Sequence, residues 1–571
     1  MYWSRHALRR HRYPVPVSVD PNLLWTQLRP PRTRLLHHLV AKRSASDDGQ
    51  NEDFFRYSGG RWLWNEESQL RDRYKRFDIA ELKKIAAKAV ASQACVSMIK
   101  LAEGGFNKVF RLVMDDGDVV MARIPNPNTG PSFRTTASEV ATIDFVRNIL
   151  DVPVPKVLAW SGDANNPVKS EYILMEEADG TPLHELWDGF ELHDKLKIVD
   201  GIVALEKKLL SISCTRYGSF YYAADAFPGC EQAEIDGEAL QSQRNETERR
   251  FAIGPVVDTN FWIHGRGGMK IDRGPWKHPE DYLKAIGLRE IEWLRCHAAP
   301  KHGPGMFSDS AAQNTPGCYI VLYEKFISVA DALLPKKRDL VRSTLWHWDI
   351  RASNLFVRNG QITSVIDWQN VWAGPLFLQA RHPHLFRYTG EVMLKLPPNY
   401  EGLADEAEKA RIRAQVENSR ALWVYESETR KSNPILHELF HMPQWHLRRD
   451  AVNFAANTWE RDIVPFRECL IRIVRHWNEL TNETPCPISF TDEELETHYR
   501  DAEGWNEQAD FWDSLEHLVH RDGWTSNETY DQALELFAEL REHGLENLSG
   551  EERRAFEQQT SWASRANPKV L

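Results

Sequence analysis

Apolar residues first recur at a helical interval over 82–90, where Leu82, Ile85, Ala86 and Val90 share one face. Asp78 is placed to cap that helix, with Glu81 at the third helical position and Phe77 spaced to pack on Leu82. Just upstream, FFRYSGGRWLW (54–64) splits two aromatic runs around Ser58-Gly59-Gly60, which predicts a hairpin. Over 98–125 the pattern turns to alternation. SMIKLA, a glycine turn, VFRLVM, a DDGD turn and VVMARI predict a three-stranded meander. A helix over 136–150, strands near 156–159 and 171–175, a helix opening at 183–187 and a long helix over 194–212 follow. Residues 225–343 are less regular, with one clear helix at 279–296 that begins Pro279-Glu280-Asp281. Beyond 385 the pattern is helical to the end, with capping boxes at Thr491–Glu494 and Ser549–Glu552. No internal repeat is present.

Length and composition narrow the classes. A chain of 571 residues, 42% hydrophobic and 27% charged, is long enough for several sizeable cores and is not wholly disordered. No apolar run reaches the roughly 18 residues of a membrane-spanning helix, and the mean hydropathy is −0.52. The seven cysteines are scattered without a CxxC pair, against a disulfide framework or a cysteine-rich zinc module. The net charge of −11 hides a division: residues 1–46 hold nine Lys/Arg and one acid, Asp20, leaving the remainder strongly acidic. So acidic a body repels nucleic-acid backbones, and no nucleic-acid partner is expected. The Arg-rich, acid-poor start reads as a mitochondrial transit peptide, with a basic tail as the alternative. The acidic run from Asp47 marks the expected mature start.

The densest chemistry lies in His347-Trp348-Asp349-Ile350-Arg351-Ala352-Ser353-Asn354, followed thirteen residues past the Asn by Asp367 at the end of an apolar strand. Phosphoryl transfer needs such parts: one carboxylate to orient the acceptor hydroxyl and take its proton, an amide and a second carboxylate to hold Mg²⁺ against nucleotide phosphates. Asp349 is the candidate base, and Asn354 and Asp367 the candidate Mg²⁺ ligands. The plain alternative is a polar hairpin whose carboxylates cap turns. Upstream, Gly104 and Gly105 in Glu103-Gly104-Gly105-Phe106-Asn107-Lys108 form a turn through which backbone N–H groups can approach phosphates, although a bare hairpin reads the same way. Arg123 ends the next strand and Glu139 lies on the following helix, the order of a kinase-type cation–glutamate pair. Leu174-Met175-Glu176-Glu177-Ala178 falls where an adenine-binding hinge would lie.

On these stretches, over about residues 98–390, the sequence resembles the aminoglycoside phosphotransferase family of kinase-like proteins. It resembles more closely the fungal altered inheritance of mitochondria protein 9 group, through FFRYSGGRWLWNEE, LAEGGFNKVF, ARIPNPNTGPSFRTTASEVAT, IDWQNVWAGPLFLQAR and the tail from RDGWTSNETYDQ. The resemblance implies a two-lobed α+β, protein-kinase-like fold, Mg-ATP chemistry and a mitochondrial address. The expected organisation is a transit peptide or tail (1–46), a hairpin and helix (47–97), a small lobe of antiparallel sheet plus helix (98–180), a mainly helical large lobe with the catalytic loop (181–390) and a C-terminal helical extension (391–571). Gly104, Gly105, Asn107, Arg123, Glu139, Glu176 and Ala178 would line the nucleotide. Three positions depart from the family pattern. Arg123 replaces the usual strand lysine, and an arginine fork is not geometrically a lysine. Arg351 and Ser353 stand where His and Pro are usual. Arg351 either binds an anionic acceptor or the transferring phosphoryl, or pairs with a carboxylate.

The expected function is ATP-dependent phosphotransfer to a small-molecule hydroxyl in mitochondria. A nucleotide-binding pseudokinase scaffold in mitochondrial maintenance is the alternative, favoured by Arg123 and the long aromatic extension. A third class rests on His437-Glu438-Leu439-Phe440-His441, which matches the H-E-x-x-H of zinc hydrolases, with Glu460 as a further ligand. Pro434 and Pro443 bracket it, leaving barely two helical turns, and histidines in such a segment more commonly pack against partners.

Overall fold

A computed structural model describes residues 51–299, 311–386, 391–456, 458–459, 462–481 and 484–565. The basic start 1–46 and Glu460 lie outside the described residues.

The fold is the two-lobed α+β arrangement expected from the sequence. In the small lobe, helix α1 (Ile79–Ala89) packs under a five-stranded antiparallel sheet. The strands are β1 (Cys95–Glu103), β2 (Asn107–Met114), β3 (Val119–Pro125), β4 (Val157–Ser161) and β5 (Tyr172–Glu176), in the order β1-β2-β3-β5-β4. Asp78 caps α1 by accepting from the Glu81 N–H at 3.0 Å. Alternation places Phe110, Leu112 and Met114 of β2 inward, against Leu82 and Ala86. Helix α2 (Arg134–Asn148) lies between this sheet and the large lobe. It is buried nearly all round, so Thr136, Ser138, Glu139 and Thr142 are covered along with its apolar residues.

The large lobe contains α3 (Leu192–Leu210), α4 (Pro279–His297), α5 (Pro316–Leu333) and the hairpin β6 (Leu355–Arg358)–β7 (Gln361–Val365). Thr181–Pro182 adds a short third strand beside β6 and so joins the lobes. Next come α6 (Glu406–Ser432), α7 (Pro434–Phe440), α8 (Trp445–Ala455) and α9 (Ile463–Arg475), then α10 (Asp492–Ser514) and α11 (Tyr530–Asn547). One apolar core runs from Phe145 and Ile198 through Phe326 and Trp368 to Leu439 and Leu470. The helices over 406–480 therefore continue the large lobe past residue 390. A separate cluster unites Leu63 with Trp512, Phe537 and Ala563.

Three local expectations are corrected. The aromatic runs of 54–64 do not pair with each other. Glu52–Phe55 is a helical turn, and Arg61–Trp62 pairs with Trp524–Thr525. Gly60 permits that approach, since a Cβ there would sit 2.7 Å from the Thr525 carbonyl and the Trp524 ring. Residues 225–343 hold helices beyond α4: Gln241–Arg250 is too polar, and α5 too apolar around its circumference, to show a helical period. The Thr491 capping box forms, with Glu494 Oε2 accepting from the Thr491 N–H at 2.7 Å, whereas Ser549 makes no side-chain cap bond.

Candidate active site

The hairpin supplies one wall. Before β6 the chain makes a short turn, Ala352–Asn354, that buries the Asn354 side chain. Its Nδ2 donates to both the backbone oxygen and Oδ2 of Asp349, each at 3.0 Å. The buried His347 ring contacts the Ile366 carbonyl at 2.9 Å and meets Trp368 edge-on, and the Ile366 N–H donates to the Asn354 carbonyl at 3.0 Å. These contacts fasten the loop to the strand end that carries Asp367. Asp367 has φ of 67°, a left-handed conformation that aspartate tolerates better than most residues. Arg351 Nε lies 3.0 Å from Asp349 Oδ2, so this arginine pairs with the candidate base itself. His384 Nε2 stands 3.9 Å from Asp349 Oδ1. Burial pushes the Asp349 carboxyl above its ordinary pKa; Arg351 opposes the rise and the negative charge of nearby Asp367 adds to it.

The small lobe supplies the other wall. Arg123 projects from β3 into a buried site, where its guanidinium donates to Glu139 of α2 and to Gln369 Oε1. Asp367 Oδ1 is 3.5 Å from Arg123 Nη2, so the cation–glutamate pair and the hairpin carboxylate meet across the lobes. Asn107, at the end of the glycine turn, donates to the same Gln369 oxygen at 2.6 Å. Gln369, which no sequence motif marks, joins the glycine turn, Arg123 and the hairpin. Its Nε2 is buried without a hydrogen-bond partner among the described residues.

Gly104 and Gly105 face open space: a Cβ on either would meet nothing within 4 Å, and neither has a positive φ. Lys108, beside them, is turned inward. It pairs with Glu103 at 3.3 Å and donates to Asn126 at 2.6 Å, and burial pushes its ammonium down to about 8. Glu176 ends β5 with its carboxylate accepting from the Lys156 N–H at 3.0 Å and lying 3.7 Å from Arg147. Ala178 is half-buried in the segment joining the lobes, which the Asp179 N–H pins to Ser364 of the hairpin at 3.1 Å. Glu438 pairs with Lys337 at 2.5 Å, in a half-exposed surface contact.

The parts expected around a nucleotide fit one. There are two glycines required by neither conformation nor packing, an orphaned amide at Gln369, and Asp349 Oδ1 buried without a hydrogen-bond partner. The Asn354 amide and the Asp349 and Asp367 carboxylates form an oxygen-rich set suited to Mg²⁺.

No family model matches the chain. It is similar to a subtelomeric hrmA-associated cluster protein of Aspergillus fumigatus, 29% identical over 487 residues, covering 78% of this chain and 92% of that protein. It is also similar to altered inheritance of mitochondria protein 9, mitochondrial, of Lachancea thermotolerans, 25% identical over 550 residues, covering 83% and 88%. The resemblance to that group read from the sequence therefore holds, and its members carry a mitochondrial name in several fungi. Among solved structures, an ADP-bound aminoglycoside phosphotransferase is 14% identical with a TM-score of 0.35, covering 69% of this chain and 97% of that one. No helix among the described residues is long and apolar enough to cross a membrane.

Proposed function

We propose that the protein transfers a phosphoryl group from ATP to a hydroxyl of a small molecule in mitochondria. The observation that carries this reading is the meeting of Arg123, Glu139 and Asp367 across the cleft, on the hairpin that also holds Asp349 and Asn354. ATP supplies the phosphoryl group when bound, and Mg²⁺ neutralises charge on its phosphates. The glycine turn leaves room for backbone N–H groups to approach those phosphates. Glu139 holds Arg123 beside Asp367, where its positive charge would meet the phosphates, and Asp367 and Asn354 would hold the metal. Asp349 orients the acceptor hydroxyl and takes its proton. Its raised pKa makes it a better proton acceptor than an exposed aspartate. Arg351 keeps that carboxylate from shifting too far toward its neutral form. The test is a screen of metabolite pools for ATP-dependent phosphorylation by the purified chain, beside nucleotide titrations with and without Mg²⁺. Nucleotide binding with no product from any pool would sink the transfer reading.

A scaffold reading has its own observation. Arg123 is engaged by Glu139, Gln369 and Asp367 together, and Asp349 by Arg351, so the cleft's charges are partnered within the protein. On that reading nucleotide binds without turnover. For the address, a fluorescent fusion of residues 1–46 is expected to enter mitochondria, because nine cations against one acid suit potential-driven uptake. A diffuse cytosolic signal would refute it.

A further inference from the structure

The histidines of the H-E-x-x-H segment acquire a carboxylate that the motif does not contain. Glu426 of α6 faces His437 of α7 and His441, which caps the C-terminus of α7. Glu426 Oε2 lies 3.8 Å from His437 Nδ1 and 4.0 Å from His441 Nε2, and the three side chains each place one ligand atom within 4.8 Å of the others. Those separations are too long for hydrogen bonds. They are close to the roughly 3.3 Å edges of a tetrahedron whose centre is about 2.0–2.1 Å from each donor, a gap that small side-chain rotations close.

The surroundings prepare each donor. His441 Nδ1 contacts the His437 backbone carbonyl at 2.8 Å, which makes Nδ1 the protonated nitrogen and leaves the Nε2 lone pair toward Glu426. His382 donates through Nε2 to Glu426 Oε1 and stacks on Phe440, so the carboxylate is oriented from behind. Glu426 Oε2 and His437 Nδ1 are then buried with no hydrogen-bond partner among the described residues. No lysine or arginine among the described residues pairs with Glu426; its ionic neighbours are His382, His437 and His441. His441 is 55% exposed, so the open side of the cluster gives onto solvent.

We propose that Glu426, His437 and His441 form a binding site for one divalent transition-metal ion of the Zn²⁺ class, with His382 as its positioning residue and water completing the coordination. Two imidazoles and one carboxylate suit such an ion better than Mg²⁺ or Ca²⁺, which prefer all-oxygen sets. The ion would clamp α6 to the end of α7. Through His382 it would also steady the 381–386 segment that carries His384 beside Asp349. Glu438 pairs with Lys337 at the surface and is not one of the ligands.

The test uses the full chain, stripped with EDTA and titrated with Co²⁺, read by visible absorption, and with Zn²⁺, read by competition with a chromophoric chelator. One equivalent is expected, with a rise in Tm on Zn²⁺ addition. Glu426→Gln and His441→Ala are expected to weaken binding at least a hundredfold. His382→Ala should weaken it about ten- to a hundredfold, the usual range for a residue that orients a ligand. Glu438→Gln should bind like the native chain. His441 is exposed, so His441→Ala should fold, and far-ultraviolet circular dichroism checks this. No binding tighter than about 10 μM in the native chain would overturn the proposal, being far weaker than structural Zn²⁺ sites. So would a full equivalent retained by His441→Ala, or a loss in Glu438→Gln equal to that in Glu426→Gln.

Discussion

The cleft and the α6–α7 junction treat buried carboxylates in opposite ways. In the cleft, the buried Glu139 pairs with Arg123 and the buried Asp349 with Arg351, while the exposed Asp367 lies 3.5 Å from the same Arg123, so the protein supplies its own cations. At the junction the ionic neighbours of Glu426 are histidines, and Glu206 on the adjoining α3, held by Tyr425, pairs with no cation among the described residues. Glu206 is fully buried, accepts from the Tyr425 hydroxyl at 3.0 Å on each oxygen, and is pushed by burial up to about 8. A buried carboxylate must be paired, bound to a metal or neutralised by a proton. The cleft takes the first course with arginines, while the junction takes the third at Glu206 and is laid out for the second at Glu426. The difference separates positions where charge is fixed at all times from positions where an ion or a proton decides it.

The largest effect is expected where that fixed charge meets the chemistry. Asp349→Asn should keep most nucleotide affinity and lose transfer by about 10²–10⁴-fold, the usual worth of a positioned general base. Asp367→Ala should instead weaken Mg-ATP binding while leaving Mg²⁺-free nucleotide binding little changed. The measurements are nucleotide titration with and without Mg²⁺, paired with ATP turnover. If both variants bind Mg-ATP like the native chain, the carboxylates of the cleft do not serve a nucleotide.

Removing the cleft's own cation tests the same contrast through stability. Arg123→Ala leaves Glu139 buried without a partner, and breaking a buried pair in this way costs about 3–5 kcal/mol. Arg123→Lys keeps the charge but cannot reach Glu139 and Gln369 with one fork, so it should fold and lose nucleotide affinity. Denaturant unfolding and nucleotide titration of the two variants read these effects separately. An Arg123→Ala variant as stable as the native chain would mean that Glu139 is not charged there.

How far the sequence reaches depends on how far apart the partners lie. Asp349, Asn354 and Asp367 are legible because their chemistry fits one short hairpin. Arg123 and Glu139 are legible because strand and helix follow each other directly. Gln369 is not, since its partners Asn107 and Arg123 are 262 and 246 residues away and glutamine alone announces no chemistry. The strand at Arg61–Trp62 reads as part of a local hairpin for the same reason: its partner lies about 460 residues on, as the Trp62–Asp522 contact shows. At 437–441 the motif drew attention to Glu438, whereas the carboxylate that faces the histidines sits on α6, on the other side of the break at Asn433.

Glu206 sharpens the comparison through pH. Its folded pKa, about 8, lies above the ordinary value of 4.5, so the folded state holds a proton that the unfolded chain releases. Stability from this group is therefore fully present below about pH 4.5 and falls as pH rises toward 8. Each pKa unit is worth about 1.4 kcal/mol, so the loss is on the order of a few kcal/mol. Glu206→Gln should match the native chain near pH 4.5 and gain on it steadily to pH 8. Taking the difference between the two proteins cancels groups common to both, such as His446, which burial pushes down to about 4. Parallel Tm–pH curves would show that Glu206 is charged in the fold, and the contrast with the cleft would fail.

The smallest structural effect is expected at the glycine turn, where the cleft is open. Gly104 and Gly105 have neither a left-handed backbone nor a neighbour within 4 Å of a Cβ position. Alanine at both should leave stability within about 1 kcal/mol of the native chain, or raise it slightly, because alanine restricts the unfolded state. If the turn exists to admit phosphates, the same double variant should lose nucleotide affinity, since each new methyl occupies the space a phosphate approaches. Tm and nucleotide titration on Gly104→Ala/Gly105→Ala therefore pull apart two roles that coincide for most glycines. Unchanged affinity with unchanged Tm would reduce the turn to a plain hairpin connection, leaving the cleft's partnered charges as the only feature that distinguishes it.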